Sequence, residues 1–405
     1  MRILHTSDWH IGKQLQKVDL SDEIKMFFGW LLKAIAARKI DLLLVSGDIF
    51  DHANPSQAAY KVYYDFLKSM LKLDCKIVIT GGNHDSASVL NAPKELLQAM
   101  DITVVGGATE NLEDMIFKFQ KDKIDVVVAA IPYLKDNNIR KSAPGESYAD
   151  KVEQIKDGLR NYFHEVNECY KKNYKGAKFI VMGHLFVQGA ESMLSDGVRD
   201  IQIGNQAGVE HAIFEGVPDY VALGHIHKPY PVDSKKHIYY CGSPVSFSFS
   251  EKEDQKQINI VEITDKSIDV EIVPIPVYRE LVSFEGTYEE VAAEVSGYVN
   301  KYELDALGEI VITEKSESVG LGEQVEDLMI NHGVDGLRIV KRKLTYEDRL
   351  MGGSKVFDEQ ADVADFTAGE MFEKRLELET TYNNQKKKEL RSAFQEILEN
   401  LGEVR

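Results

Sequence analysis

The sequence has few cysteines and no long apolar run. Its 405 residues include three cysteines, widely spaced and odd in number, so neither a disulfide framework nor a zinc knuckle is indicated. No stretch approaches the roughly 18 uninterrupted apolar residues of a membrane-spanning helix. The opening residues lead into polar Thr6 and Ser7 without the apolar segment of a secretory signal. These absences predict a cytoplasmic protein that makes no contact with membranes.

Positive charge is also scarce. The chain has 48 basic and 66 acidic residues, which gives a net charge of −18. Proteins that grip nucleic acid alone usually carry a basic surface, so this balance predicts weak affinity for DNA without help. It does not exclude a nuclease, because bound divalent cations offset nearby carboxylates and a partner can supply positive surface.

Short apolar, β-branched runs alternate with amphipathic segments over the first 275 residues. The runs are predicted strands buried on both faces, and they cover 2–8, 41–48, 76–80, 125–131, 178–182 and 220–223. Helices are predicted from a Ser21 cap, from Asn54-Pro55 to about Leu73, and over about 148–172. Later runs at 237–241, 257–264 and 268–275 are predicted antiparallel strands. The alternation predicts an α/β fold with a layered sheet covered by helices.

Two prolines, Pro274 and Pro276, mark a predicted domain boundary. Beyond them, residues 277–345 alternate strand and helix and predict a small α/β unit. Residues 346–361 are a predicted linker. The segment 362–405 is predicted to be helical, because its apolar residues recur at helical spacing.

Side chains that can bind metals follow most of the predicted strands. The motifs are Asp8-Trp9-His10, Gly47-Asp48, Gly81-Gly82-Asn83-His84-Asp85, Gly183-His184 and Gly224-His225-Ile226-His227. Residues two apart in extended backbone point the same way, so Asp8 and His10 are expected to reach one metal. Carboxyl ends of strands are where open α/β sheets build their sites. We therefore predict a two-metal site formed by Asp8, His10, Asp48, Asn83, His184, His225 and His227.

Two-metal sites mostly cleave phosphate esters, with ions about 4 Å apart that clamp the attacking and leaving oxygens. Mixed nitrogen and oxygen ligands favour Mn, Fe or Zn over Ca or Mg. His84 follows the ligand Asn83 and is predicted to protonate the leaving oxygen or to stabilise the phosphoryl charge. Asp85 is predicted to orient His84. Each motif alone can arise by chance, so the prediction rests on finding all of them together in this order.

Other residues receive structural interpretations. His5 is expected to be a hydrogen-bonded core residue within the first strand. Trp9, between two ligands, is expected to pack beneath the site. His52 stays open between a surface residue and one that faces the substrate.

The ordered motifs resemble those of the calcineurin-like metallophosphoesterases. The opening Arg2-Ile-Leu-His-Thr-Ser-Asp-Trp-His-Ile-Gly12 and the run Val45-Ser-Gly-Asp-Ile-Phe-Asp51 are similar to the bacterial nuclease subunits that work with a coiled-coil ATPase. The resemblance covers about 1–275 strongly and the remainder by size and order only. It implies a layered α/β/β/α sandwich with a small α/β capping domain and a C-terminal helical tail.

The resemblance also implies how the site is organised. One metal would be held by Asp8, His10, Asp48 and His227, and the other by Asp48, Asn83, His184 and His225. His84 would be the catalytic histidine. Some archaeal relatives carry a histidine three positions after the bridging aspartate. That position is Asp51 here, so His52 is not given the archaeal role.

The implied activity is a Mn²⁺-dependent exo- and endonuclease that acts at DNA ends and hairpins in repair and recombination. The capping domain, 277–345, would help contact DNA, and the tail, 362–405, would dock on the coiled coil of the ATPase. The chain has no Gly-x-x-x-x-Gly-Lys-Ser/Thr loop, so ATP use would belong to that partner. A homodimer within a heterotetramer is the implied assembly.

Two other functions remain open from the sequence. One is a protein phosphatase or small-phosphodiester hydrolase, although that branch usually places arginines where this chain has His52 and Ser86. The other is an inactive scaffold that binds a coiled coil. The presence of all seven predicted ligands and His84 argues against the inactive scaffold.

Overall fold

The structure is a computed structural model. It describes the following parts of the chain: 1–140, 148–188, 208–214, 216, 218–316, 318, 320–346, and the separate residues Leu376, Lys387, Leu390, Arg391 and Phe394. Two compact units are distinguished by their internal contacts. The first comprises Met1–Val282, Asn300–Leu307 and Gly336–Val340; the second comprises Ser283–Val299, Gly308–Asp335 and the residues from Lys341 onward.

Among the described residues, the first unit contains two six-stranded sheets. The first sheet has the spatial order Ile268–Pro274, Gln257–Ile263, Arg2–Thr6, Leu42–Ser46, Lys76–Thr80 and Ile102–Val105. The second sheet has the order Tyr230–Asp233, Ile238–Tyr240, Tyr220–Gly224, Lys178–His184, Ile124–Ala130 and Ile116–Lys121. The six strands predicted from apolar runs are therefore shared between both sheets.

The central strands of each sheet are parallel. In the first sheet, Arg2–Thr6 pairs with Leu42–Ser46, which pairs with Lys76–Thr80. In the second sheet, Lys178–His184 pairs with Tyr220–Gly224 in a register that sets His184 opposite Gly224. Parallel pairing brings the carboxyl ends of these strands, and the motifs that follow them, to one edge of each sheet.

One predicted pairing is correct for only one of the strand's two neighbours. The sequence predicted that the strand near 237–241 is antiparallel, but Ile238–Tyr240 runs parallel to Tyr220–Gly224. The reason is a short strand, Tyr230–Asp233, which pairs antiparallel with Ile238–Tyr240 and reverses the chain before it. The antiparallel prediction is confirmed for Gln257–Ile263, which pairs antiparallel with both Arg2–Thr6 and Ile268–Pro274.

Alternate residues of the first sheet pack into different layers. Ile3, Leu42 and Leu44 belong to the core between the sheets, together with Val128 and Val181 of the second sheet. Their sequence neighbours belong to the other core, on the outer face under the first helices: Leu4, Leu43 and Val45 with Phe27, Leu31 and Phe66. The strands are thus buried on both faces, as their unbroken apolar character predicted.

Helices cover the outer faces. Ser21–Arg38 and Gln57–Met70 lie on the first sheet, and Tyr148–Asn173 packs Ile155, Leu159 and Phe163 into the core that includes the second sheet. This arrangement is the layered α/β/β/α sandwich that the resemblance implied.

The starts of two helices differ from the prediction. Ser21 is the first helical residue rather than a side-chain cap, and the Asp19 carboxylate accepts its N–H at 2.7 Å. The second helix begins at Gln57, where the Ser56 hydroxyl accepts the N–H of Ala59 at 3.1 Å. In both helices a side-chain oxygen from a residue just before the helix accepts an N–H of the first turn that has no partner within the helix.

The remaining described elements are short or include residues of the second unit. Short helices are Ala87–Asn91, Lys94–Gln98 and Asp136–Ile139; 3₁₀ turns are Leu112–Met115, His211–Phe214, Ser234–Lys236 and Phe249–Glu251; two-stranded pairs are Gln14–Leu15 with Val18–Asp19, and Val187–Gln188 with Val209–Glu210. A three-stranded sheet has the order Leu281–Gly286, Ala306–Glu314 and Leu337–Tyr346, and the accompanying helices are Tyr288–Gly297 and Leu321–Asn331. No described helix combines the length and apolar character needed to cross a bilayer.

The five described tail residues are helical, and the other residues of 347–405 in the predicted linker and tail lie outside the described residues. The domain boundaries at 275–277 and 345–346 therefore stay a prediction.

His5 lies fully buried in the strand Arg2–Thr6, with Nδ1 3.0 Å from the Tyr220 hydroxyl, as predicted for a core histidine. Burial lowers the pKa of His5 from 6.5 to about 3. Below pH 6.5, His5 binds a proton in the unfolded chain but not in the folded chain. The free energy of unfolding therefore decreases as the pH falls.

We expect His5 alone to make the free energy of unfolding about 2 kcal/mol smaller at pH 5 than at pH 8. His5→Gln should remove that increment, and urea unfolding at the two pH values would measure it. The same substitution at exposed His164 is the control and should leave the pH dependence as in wild type. Equal pH dependence in wild type and His5→Gln would contradict the prediction.

Candidate metal centre and catalytic histidine

All seven predicted ligands lie where the carboxyl ends of the parallel strands of the two sheets meet. Asp8, His10, Asp48 and Asn83 follow strands of the first sheet, while His184, His225 and His227 end or follow strands of the second. Several hydrogen bonds join the sheets at this edge. The Ser46 hydroxyl donates to the Ala222 carbonyl at 3.0 Å, and the His225 N–H donates to Asp8 Oδ1 at 2.9 Å.

Four of these residues have left-handed backbone conformations. The φ angles are 51° at Asp8, 43° at His10, 48° at Asp48 and 100° at His225. The prediction that Asp8 and His10 share a metal because they lie in extended backbone therefore has the wrong basis. They face the site because the chain turns sharply at both residues, held by bonds from Asp8 N to Gly47 O (3.1 Å) and from His10 N to Asp48 O (2.9 Å). Such strained non-glycine residues cluster at functional sites.

Asp48 lies at the centre of the cluster. Its Oδ2 is 3.4 Å from His10 Nε2 and 3.3 Å from His184 Nε2, and its Oδ1 accepts the His84 N–H at 2.9 Å. Burial alone would raise the pKa of this carboxyl, but His184 and the other neighbouring histidines hold it well below its usual range. One carboxylate thus faces an imidazole from each side, the geometry needed to bridge two cations.

We call the group Asp8, His10, Asp48 and His227 the first cation position. Ligand atoms of Asp8, His10 and His227 lie within 4.8 Å of one another, and the two Nε2 atoms of His10 and His227 face each other at 3.1 Å. His10 Nδ1 lies 3.2 Å from an oxygen of Asp51, and His227 Nδ1 lies 3.5 Å from one of Glu251.

An ionised carboxylate only accepts hydrogen bonds, so Asp51 and Glu251 place the ring protons of His10 and His227 on Nδ1. When both rings are neutral, each turns the lone pair of Nε2 towards the other. Two lone pairs 3.1 Å apart repel unless a cation lies near both, so these donors fit a divalent ion.

We call the group Asp48, Asn83, His184 and His225 the second cation position. Asn83 Oδ1 lies 3.0 Å from His184 Nε2 and 3.0 Å from His225 Nδ1. His184 Nδ1 lies 3.0 Å from the Ser46 carbonyl, which directs its Nε2 towards the other ligands. Burial would lower the pKa of His184, but the charge of Asp48 and their hydrogen bond raise it to about 9. A cation at this position would replace the proton that the histidine otherwise holds.

His84 lies beside the cluster but is held differently from the ligands. Its Nδ1 donates to the Asp51 carbonyl at 2.9 Å, and its ring meets the His10 ring edge to face at 4.8 Å. Nε2 therefore stays available for a substrate atom.

The role predicted for Asp85 requires a correction. Its two carboxylate oxygens accept the backbone N–H groups of Ile49, Phe50 and Gly82 at 2.8 to 3.0 Å, whereas the His84 ring is oriented by Asp51. Asp85 thus fixes the loops that carry Asp48 and Asn83. Burial and the nearby Asp48 charge raise the pKa of Asp85 to about 6, although these three N–H groups oppose the shift.

Sequence reasoning missed two carboxylates and two lysines beside the first cation position. Lys13 Nζ lies 3.0 Å from Asp51, and Lys256 Nζ lies 2.7 Å from Glu251. Burial would raise the pKa of each carboxyl, but the neighbouring histidine and lysine lower both values to about 2. Asp51 could have been recognised, because it follows Gly47-Asp48 by three residues. Glu251 and Lys256 belong to no motif.

Two aromatic side chains pack around the site. Trp9 is fully buried between Phe28 and Phe66, as predicted. Phe247 lies edge to face with His10 at 5.1 Å and with His227 at 5.3 Å. His52, which was left open, has a side chain that is 78% exposed and points Nε2 at Asp51 from 3.2 Å.

Residues 1–229 match the model of the calcineurin-like phosphoesterases, and the chain belongs to this family. It is similar to the D component of the nuclease SbcCD from Escherichia coli strain K12, with 28% identity over 96% of each chain. The protein of the same name from Staphylococcus saprophyticus is 28% identical over 73% of this chain and 74% of its own. The one from Rhodobacter capsulatus is 31% identical over 62% and 64%. The resemblance drawn from the motifs is confirmed.

Two glycines make a matched test of the site's backbone. Gly47 has a φ of +81°, and a Cβ there would lie 2.1 Å from His184 Nδ1, whereas a Cβ on helical Gly29 meets nothing within 4 Å. We expect Gly47→Ala to cost about 1–3 kcal/mol and to displace His184, which weakens cation binding. Gly29→Ala should instead stabilise by about 0.5–1 kcal/mol. Thermal melts and Mn²⁺ titration measure both, and wild-type metal binding by Gly47→Ala would contradict the prediction.

Proposed function

We propose that this chain is a metal-dependent nuclease subunit that hydrolyses DNA phosphodiester bonds at ends and hairpins. It uses two divalent ions, with Mn²⁺ as the metal, and works with an SbcC-type ATPase in DNA repair and recombination. The observation that carries the proposal is the convergence of seven candidate ligand side chains, with Asp48 at their centre and His84 beside them. The nuclease names of the relatives support a nucleic acid as the substrate.

Asp8, His10, Asp48 and His227 would hold one ion, and Asp48, Asn83, His184 and His225 the other. Bound divalent ions supply Lewis-acid stabilisation of phosphoryl charge and a nucleophilic water at neutral pH. The mixed oxygen and imidazole donors favour Mn, Fe or Zn over Ca or Mg, which supports manganese.

His84 has the proton-transfer role in this proposal. Its Nδ1 donates to the Asp51 carbonyl at 2.9 Å, so the ring is fixed and Nε2 is the nitrogen left for proton transfer. A protonated ring in this orientation donates from Nε2 to the leaving oxygen or to a phosphoryl oxygen. Asp85 supports this arrangement indirectly, by holding the loop at Ile49 and Phe50 that leads to Asp51.

We expect His84→Ala to lower the rate of DNA hairpin cleavage in Mn²⁺ at least about 100-fold while both cations still bind. Asp8→Ala should abolish cleavage and also weaken cation binding. His164→Ala, an exposed change on the helix Tyr148–Asn173, is the control and should cleave like wild type. Cleavage by His84→Ala at the wild-type rate would exclude this mechanism. A phosphatase would instead cleave a model ester and leave DNA intact.

The proposed partners are the ATPase, DNA and a second copy of the chain. The net charge and the segments beyond residue 276 suggest how they are bound. We propose that 362–405 docks on the coiled coil of the ATPase and that the predicted capping domain, 277–345, helps contact DNA. A homodimer would form through helices of the core, on which Tyr64 is 40% and Leu96 is 62% exposed. The three free cysteines agree with a cytoplasmic location.

Because the net charge is −18, the isolated chain would bind DNA weakly, and its activity would depend on positive surface supplied by the ATPase. We expect weak cleavage that falls at least about tenfold between about 50 and 200 mM salt, since DNA contacts release counterions. Adding the ATPase should raise the rate and reduce the salt dependence, in Mn²⁺ more than in Mg²⁺. A salt-independent nuclease that ignores the ATPase would contradict the proposed partnership.

A further inference from the structure

A buried lysine and a partly buried carboxylate lie behind His227. Glu251 Oε1 lies 3.5 Å from His227 Nδ1, and Lys256 Nζ lies 2.7 Å from Glu251 Oε2. Lys256 is only 6% exposed and uses its other protons on the His227 carbonyl at 3.1 Å and the Ser243 hydroxyl at 3.0 Å. The lysine therefore fixes both the main chain of His227 and the carboxylate that faces its ring.

His227 needs this support more than the other imidazoles do. The side chains of His10 and His184 are 1% and 0% exposed, so packing alone restricts their rings, whereas the side chain of His227 is 31% exposed. Phe247 lies edge to face with it and covers one direction only. Without Glu251, the His227 ring would be free to turn its Nε2 away from His10.

Behind His184, at the second cation position, stands a neutral group rather than a carboxylate. His184 is oriented by the carbonyl of Ser46, and Asn83 brings a neutral amide oxygen. A carboxylate behind a ligand histidine fixes its tautomer and raises its basicity more than a carbonyl does. His227 and His184 thus differ in what holds their rings.

We propose that Glu251, held by Lys256, is a positioning residue for His227 and sets the cation affinity of the first position but not of the second. This inference rests on the proposed two-metal site. It concerns the support of one ligand and assigns Glu251 no contact with the cation or the substrate.

The test is a Mn²⁺ titration of the full chain, followed by electron paramagnetic resonance of the free ion. Wild type should bind two ions. Glu251→Gln should bind one ion with wild-type affinity and the other about 10- to 100-fold more weakly. The matched control is Glu253→Gln, an exposed change on the same loop that alters the net charge equally and should leave both affinities unchanged.

Glutamine leaves the buried Lys256 ammonium without its carboxylate, so Glu251→Gln alone risks a loss of stability. The double variant Glu251→Gln/Lys256→Met removes both charges, and the same selective loss is expected in it. Thermal melts of each variant establish that the chain is folded before its metal binding is compared.

Each outcome has a separate meaning. Two ions bound at wild-type affinity by folded Glu251→Gln or by the double variant overturn the inference and leave the proposed function standing. Equal weakening of both ions overturns the assignment of Glu251 to the first position. A wild-type chain that binds no Mn²⁺ overturns the proposed function, and the inference falls with it.

Discussion

The Asp48 carboxylate joins the two sheets at the edge where the candidate site lies. A buried charge costs several kcal/mol unless opposite charges and hydrogen bonds surround it. Asp48 is 2% exposed and meets His10 from its own sheet, His184 from the other sheet and the His84 N–H from the next loop. Its environment exists only when the sheets are packed together, so the same interaction serves the fold and the site.

The backbone around Asp48 shows what that convergence requires. Asp8, His10, Asp48 and His225 are all in the left-handed region, which costs about 1–3 kcal/mol for each such residue. The parallel strands before them are buried on both faces, and their packing offsets this cost. Gly47 and Gly82 complete the arrangement, because a Cβ on either would lie 2.1 Å from an atom of His184 or Asp48.

Much of the fold and the ligand set could be predicted because both depend on local patterns. Apolar runs located the central strands, and candidate ligands after most of these strands located the site edge. Glu251 and Lys256 could not be found this way, since they meet His227 only through folding and carry no motif. The strand Tyr230–Asp233 was missed because it is four residues long and contains Pro231. The prediction that Asp85 orients His84 was wrong because the Asp85 carboxylate binds backbone N–H groups instead. A pattern of residue types does not show where backbone N–H groups lie.

Every candidate ligand from the second sheet is held by a group from the first. His184 is oriented by the Ser46 carbonyl, and the His225 N–H is bound by Asp8. The His227 carbonyl accepts from Lys256, which directly precedes the strand Gln257–Ile263 of the first sheet. Loops alone therefore do not define the cluster. A shift of one sheet against the other would separate the candidate ligands of the first sheet from those of the second. The candidate metal centre therefore depends on the packing of the two sheets.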